Sequence, residues 1–224
     1  MTFESFGDLV LQRLDSFDLN TRNMLNIGSV IGLSFSLNEV VAVQMRLATE
    51  GKEELVRKLT VNSLQAAVDE GILECRKIVD EGEVDGNLKY SFYHSIWRTS
   101  LLSLMLDGRK RDLHRTIAEA MEQESRALED YMFQTKLFNH WVNSSSFCKA
   151  SEVALSLGKY FQDRLGLPAQ SIRLYNDALN LLRETNDPSV GVSGKTMSGV
   201  FGFNLFGFLK HCFPQALPQR CWMP

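Results

Sequence analysis

Four groups of side chains in this chain have types and spacings that chemistry could use. The first is Gly194-Lys195-Thr196, which reads like the end of a phosphate-binding loop, where backbone N–H groups wrap a phosphate and a lysine meets its charge. Such a loop needs a glycine five residues before Gly194, a strand ahead of it and a helix after it. Position 189 is Ser189, Pro188 precedes it, and Gly199 and Gly202 interrupt any helix after it, so the triplet is a chance match. No carboxylate after a β-run supplies the other half of an ATPase site, and the chain alone is not expected to hydrolyse ATP. The second group is Arg109, Lys110, Arg111 and Arg115, with His114 beside them. A basic cluster at a helix start can hold phosphate or an acidic partner, and cations there oppose the helix dipole, which leaves room for function. Pairing with Glu119 and Glu122 at helical spacings would instead make it a solvated face. The third group, His114 and His140, sits on apolar-periodic helices with no Cys or carboxylate at a motif spacing, so core or interface roles are expected. The fourth is Cys75, Cys148, Cys212 and Cys221, which contain no C-x-x-C pair and read as reduced, mostly buried thiols. Met24, Met45, Met105, Met121 and Met132 are gap fillers at helix faces. No catalytic residue, metal site or cofactor is expected.

Composition narrows the partners. With 224 residues, 44% hydrophobic and 23% charged, the chain can bury one ordinary core or two small ones. The 24 Lys plus Arg against 27 Asp plus Glu give a formal charge of -3, so no bulk field draws nucleic acid or anionic lipid. Glu4 and Asp8 near the start, without a basic stretch leading into an apolar run, argue against a signal peptide and for a cytoplasmic location. The apolar stretch Val200 to Leu209 is far shorter than the ~20 residues of a membrane-spanning helix, so no transmembrane segment is expected.

The elements that must position these groups are mostly helical. Phe3, Phe6, Leu9, Val10 and Leu14 fall at helical spacing; a second helix opens at Asp18 and carries Leu19, Met24, Leu25 and Ile27; Ser36 with Glu39 is a capping box for a third. Lys52 to Asp69 is a longer amphipathic helix, with Leu55, Leu59, Leu64 and Val68 on or near one face and Gly71 as its stop. The period then changes. A strand flanked by Ile72-Leu73 and Ile78-Val79 and a strand over Leu88 to Tyr93 enclose an acidic turn from Asp80 to Asn87, a pattern that predicts an antiparallel hairpin. From Ser95 onward only helices are expected. They are interrupted at Asp107-Gly108 and Ser144-Ser145-Ser146, and end in a hairpin of Lys149 to Leu165 and Pro168 to Glu184 joined at Gly166.

These residues carry a family resemblance. Leu11-Gln12-Arg13-Leu14-Asp15, Met24-Leu25 and Gly28 to Phe35 resemble the segment after the ATPase core in signal-transduction (STAND/AAA-type) ATPases. Those regulators are attached to class III adenylyl or guanylyl cyclases, kinases or LuxR-type activators. Tyr90-Ser91-Phe92-Tyr93-His94, Arg111 to Glu122, His140-Trp141 and Lys149-Ala150 are similar to the same family in the same order. The resemblance implies a mainly α fold: a winged-helix domain with one β-hairpin over 1–106, then a tetratricopeptide-like helical region over 107–186. Gly166, Tyr175, Ala178 and Leu179 stand at repeat packing positions, and Ser171 replaces the usual alanine. In the family a histidine ending the winged-helix strand contacts the β-phosphate of ADP bound to the ATPase domain. That role falls on His94, although Ser95 stands where an aspartate is often found. A structural role for His94 at a strand-to-helix junction, with Ser95 as the helix N-cap, is the alternative.

The expected function is a non-catalytic regulatory and protein-interaction fragment without its nucleotide-binding core. Its implied partners are an ATPase domain and a signalling effector; Arg109, Lys110, Arg111, Arg115 and Tyr175 are the candidate partner-binding residues. A DNA-binding winged-helix regulator is the alternative, but the helix that would read DNA mixes Lys52, Arg57 and Lys58 with Glu53, Glu54, Asp69 and Glu70, so no nucleic acid is expected. Residues 187–224 alternate glycine with phenylalanine and then proline, and are expected to be disordered or loosely docked.

Overall fold

The structure, a computed structural model, describes residues 6–48, 52–78, 87–123 and 130–185. The acidic turn expected at 80–87 lies outside them except for Asn87, as do the Gly194-Lys195-Thr196 triplet and the whole of the 187–224 segment.

Helix α1 (Phe6–Asp15) turns Val10 and Leu14 inward. Helix α2 (Leu19–Ile31) begins where the Asp18 carboxylate accepts the Thr21 N–H at 2.7 Å, and buries Met24, Leu25, Ile27, Val30 and Ile31. A short strand, β1 (Ser34–Ser36), then leads into α3 (Leu37–Leu47) through a complete capping box. The Glu39 N–H donates to Ser36 Oγ at 3.2 Å, and the Ser36 N–H donates to Glu39 Oε2 at 2.7 Å. Sequence reasoning missed β1. Three residues carry no period, and the strand exists only because a later one pairs with it.

Helix α4 (Glu53–Asp69) has the predicted length but a different inner face. Thr60, Ser63, Leu64 and Ala67 are buried against α2 and α3, whereas Leu55 and Leu59 face solvent. Thr60 tolerates burial because its hydroxyl donates to the Val56 carbonyl at 2.8 Å. Strands β2 (Leu73–Ile78) and β3 (Asn87–Phe92) form the expected antiparallel pair, and β1 adds to the far side of β3, giving the order β1-β3-β2. Phe35 of β1 stacks on Tyr90 at 6.0 Å and lies tilted against Phe92 at 5.9 Å.

Helix α5 (Ser95–Leu104) starts directly after the sheet. The break before α6 (Asp107–Glu122) falls at Met105 and Leu106, both extended, so Asp107 and Gly108 belong to the first turn of α6 and are not the turn expected. Helix α7 (Tyr131–Asn143) is capped by Asp130 and ended by the serine run, in which Ser145 takes a positive φ of 58°. Helices α8 (Phe147–Asp163) and α9 (Pro168–Thr185) form the predicted hairpin, turning at Gly166 with φ of 61°. Gly158 lets the Tyr175 ring close on the α8 backbone, since a Cβ there would lie 2.5 Å from that ring. The chain is mainly helical with one small sheet. A continuous buried cluster runs from Val10 to Leu181, and α6 packs on α2 and α3 as well as on α7. The expectation of buried thiols does not hold for the two described cysteines: Cys75 is half-buried on β2, and Cys148 in the first turn of α8 is exposed.

Two glycine substitutions test this packing. A Cβ at Gly28 would sit 2.5 Å from the ring of Phe35, which is itself buried. Overpacking of about 1–3 kcal/mol should exceed the roughly 1 kcal/mol gained in helix propensity. Gly28→Ala should therefore lower the urea midpoint. Among the described residues outside its own helix, nothing lies within 4 Å of where a Cβ at Gly108 would sit, so Gly108→Ala should raise it.

Candidate functional site

Two places gather the candidate side chains. At the first, β3 hands over to α5. The Tyr93 N–H still donates to the Ile72 carbonyl at 3.0 Å, after which the chain leaves the sheet, and His94 takes the N-cap position with its carbonyl accepting the Trp97 N–H at 3.1 Å. The His94 side chain makes no capping bond, and Ser95 is the first helical residue rather than the cap. His94 is exposed, its ring edge-on to Tyr93 at 4.6 Å, and Tyr93 is itself 56% exposed. Ile96 in the first turn is also exposed, so the junction presents an imidazole flanked by an aromatic and an aliphatic side chain.

The second place is internal. His114 on α6 and His140 on α7, 26 residues apart, meet with Nδ1 to Nδ1 at 2.9 Å. Such a bond requires one ring to donate and the other to accept, so at least one Nδ1 is unprotonated. Burial pushes the His140 pKa down to about 3, with the charges of His114 and Lys136 adding to the effect. Burial and the Arg98 guanidinium bring His114 down to about 4. Both rings are therefore neutral at pH 7. Arg98 on α5 is held by its Nε donating to the Ser29 carbonyl at 2.8 Å, and Lys136 is paired with Glu39. This surrounding charge suits neither a bound cation nor a catalytic base poised near neutrality. Among the described residues no group of three or more His, Cys, Asp or Glu is arranged to hold a metal ion.

The basic cluster is spread around α6. Arg109 donates to the amide oxygen of Asn23 at 2.9 Å, Lys110 pairs with Asp107 at 3.0 Å, and Arg115 lies 3.9 Å from Asp112. Glu119 and Glu122, expected to answer these cations along the helix, instead reach Arg46 of α3 and Lys149 of α8. Tyr175 is 3% exposed, so its ring serves packing against Gly158 and offers no surface to a partner. The histidine pair had one signal in the sequence, two imidazoles on apolar faces. The distance between them along the chain concealed that they meet.

Compared with protein-family models, curated proteins and solved structures, the chain matches none. Among the described residues no helix is long and apolar enough to cross a membrane.

The histidine pair sets a pH dependence. The unfolded chain takes up these protons near pH 6.5, the folded chain only near 4 and 3. Below 6.5 the unfolded state thus binds more protons, and acid favours it. Stability should be full above about pH 6.5 and fall as pH drops toward 3. For His140 the loss is about 2 kcal/mol at about pH 5; His114 loses nearly as much there, and its smaller total loss shows only as pH falls through its folded pKa of about 4. Urea titrations from pH 7 to pH 4 should show this acid limb, and His140→Gln should flatten it while lowering stability at pH 7.

Proposed function

We propose that this chain is a non-catalytic, cytoplasmic regulatory and protein-interaction fragment of a signal-transduction ATPase. Its winged-helix unit leads into a tetratricopeptide-like array. The observation that carries this reading is the order α2-β1-α3-α4-β2-β3, with sheet order β1-β3-β2, delivering an exposed His94 at the point where α5 begins. That order supports a winged helix. In such an ATPase, His94 would face the nucleotide phosphates of the preceding domain, where a ring N–H can donate to a phosphate oxygen. The closely interlocked α8–α9 pair, with Tyr175 against Gly158, supports the repeat reading of the second half. The partners on this reading are the ATPase domain itself and a signalling effector such as a nucleotide cyclase.

A DNA-binding role is the second reading, favoured by the same element order. Helix α4 would be the reading helix, but its outward face carries Leu55 and Leu59, and Arg57 donates both terminal nitrogens to Asn38 at 2.8 Å. That face suits a protein better than a phosphate backbone.

The genomic sequence upstream of the codon for Met1 tests the proposal. An in-frame phosphate-binding loop followed by an acidic strand end is expected there, and an in-frame stop without such a loop would overturn the ATPase origin. The purified chain should not turn over ATP. Turnover that Lys195→Ala abolishes would falsify the non-catalytic reading. Gel shifts at low salt should show no duplex binding at micromolar protein, and a salt-dependent shift would favour the second reading.

A further inference from the structure

A groove of about 290 Å³ lies between α1, α2 and the α5–α6 joint. Its floor includes buried Met105, and its walls carry three leucines that a folded chain ordinarily covers: Leu11, Leu104 and Leu106, at 39%, 48% and 79% exposure. Scattered exposed leucines are common, but three from separate elements converging on one groove form an apolar patch of the kind that marks a docking site. Two arginines, Arg22 and Arg109, share the lining.

Among the described side chains, the charge around this groove is positive. Asp15, the one carboxylate among the described residues that line it, reaches Arg22 at 3.4 Å. Asp18 beside α2 also feels Arg22, but its oxygen is engaged by Thr21. Arg22 Nε is buried without a hydrogen-bond partner among the described residues. Among the described residues the Arg109 guanidinium meets only the neutral amide oxygen of Asn23, and its neighbours Lys110 and Arg111 both act on the single carboxylate of Asp107. Local stability is sacrificed at the same place. Leu106 is the N-cap residue of α6, where leucine supplies no acceptor, and three cations occupy the first turns of the helix, where its dipole favours anions. Side chains kept against the local rules point to a contact that the described chain does not make.

We propose that this groove docks a segment of a partner protein that is both apolar and acidic. Leucine-sized side chains of the partner pack against Leu11, Leu104 and Leu106, and its carboxylates meet Arg109 and Arg22. The inference rests on reading the chain as a protein-binding fragment but not on an ATPase parent, so the upstream gene sequence and a peptide-binding test can fail independently.

The probe is a fluorescein-labelled, helix-prone peptide of about 12 residues, with leucines at i, i+3 and i+4 spacing among glutamates, compared with a counterpart carrying lysines instead. Fluorescence anisotropy with the full chain should give at least about tenfold tighter binding of the glutamate peptide at low salt, with the preference shrinking as salt rises. Arg109→Glu, at an exposed position, should invert the preference. Leu106→Asp should abolish binding while raising the melting temperature, because aspartate supplies the cap acceptor that leucine lacks. That combination separates docking from folding. Equal affinity for the two peptides, no binding of either, or binding that Leu106→Asp leaves unchanged would each overturn the proposal. A concentration-dependent dimer in sedimentation velocity, lost in Leu106→Asp and unaccompanied by peptide binding, would also overturn it and give the groove to a second copy of the chain.

Discussion

The ring of Phe35 is the contact on which the first half of the molecule depends. It fills the space that the missing side chain of Gly28 leaves on α2 and stacks against Tyr90 while touching Phe92. Helix, first strand and central strand thus meet on one buried side chain, and β2 joins through β3. Aromatic pairs of this kind contribute about 0.5–1.5 kcal/mol each beyond their buried area. The direction of β3 is set by that contact, and with it the point at which Tyr93 and His94 leave the sheet. Arg98, in the first turns of α5, then ties the helix back to α2 through the Ser29 carbonyl.

A polar seam joins the later helices to this unit. Glu39 uses one carboxylate oxygen to cap its own helix and the other to hold Lys136 of α7, 97 residues away. One turn further along α7, His140 meets His114 of α6. Buried polar groups are costly when unpaired, so sliding α7 by a turn would forfeit both contacts together. The seam therefore selects one register between α7 and the rest, where an all-apolar interface would tolerate several.

Local rules are obeyed unevenly, and the pattern has a physical meaning. Helices α2, α3 and α7 begin with side-chain caps from Asp18, Ser36 and Asp130, whereas α4, α5, α6 and α8 begin with Lys52, His94, Leu106 and Ser146, whose side chains cap nothing. Of these, His94 and Leu106 stand at either end of α5 and are both exposed. A helix start without its acceptor leaves N–H groups to solvent, a cost that packing does not offset at an exposed position.

Interactions within a few residues were legible in the amino-acid order. The Asp18 cap, the Ser36–Glu39 box, the hairpin and the Gly166 turn each depend on contiguous residues whose preferences act before any long-range contact forms. Only the tertiary structure decided the rest. Strand β1 exists because β3 lies beside it, and Leu55 and Leu59 are exposed because α2 and α3 cover the other side of their helix. His114 became half of a neutral pair because α7 folds back along α6. The leucine groove formed because α1 and the α5–α6 joint converge. Each of these outcomes turns on which surface a neighbour covers, and coverage is set by contacts between residues far apart in the chain, which no local spacing encodes.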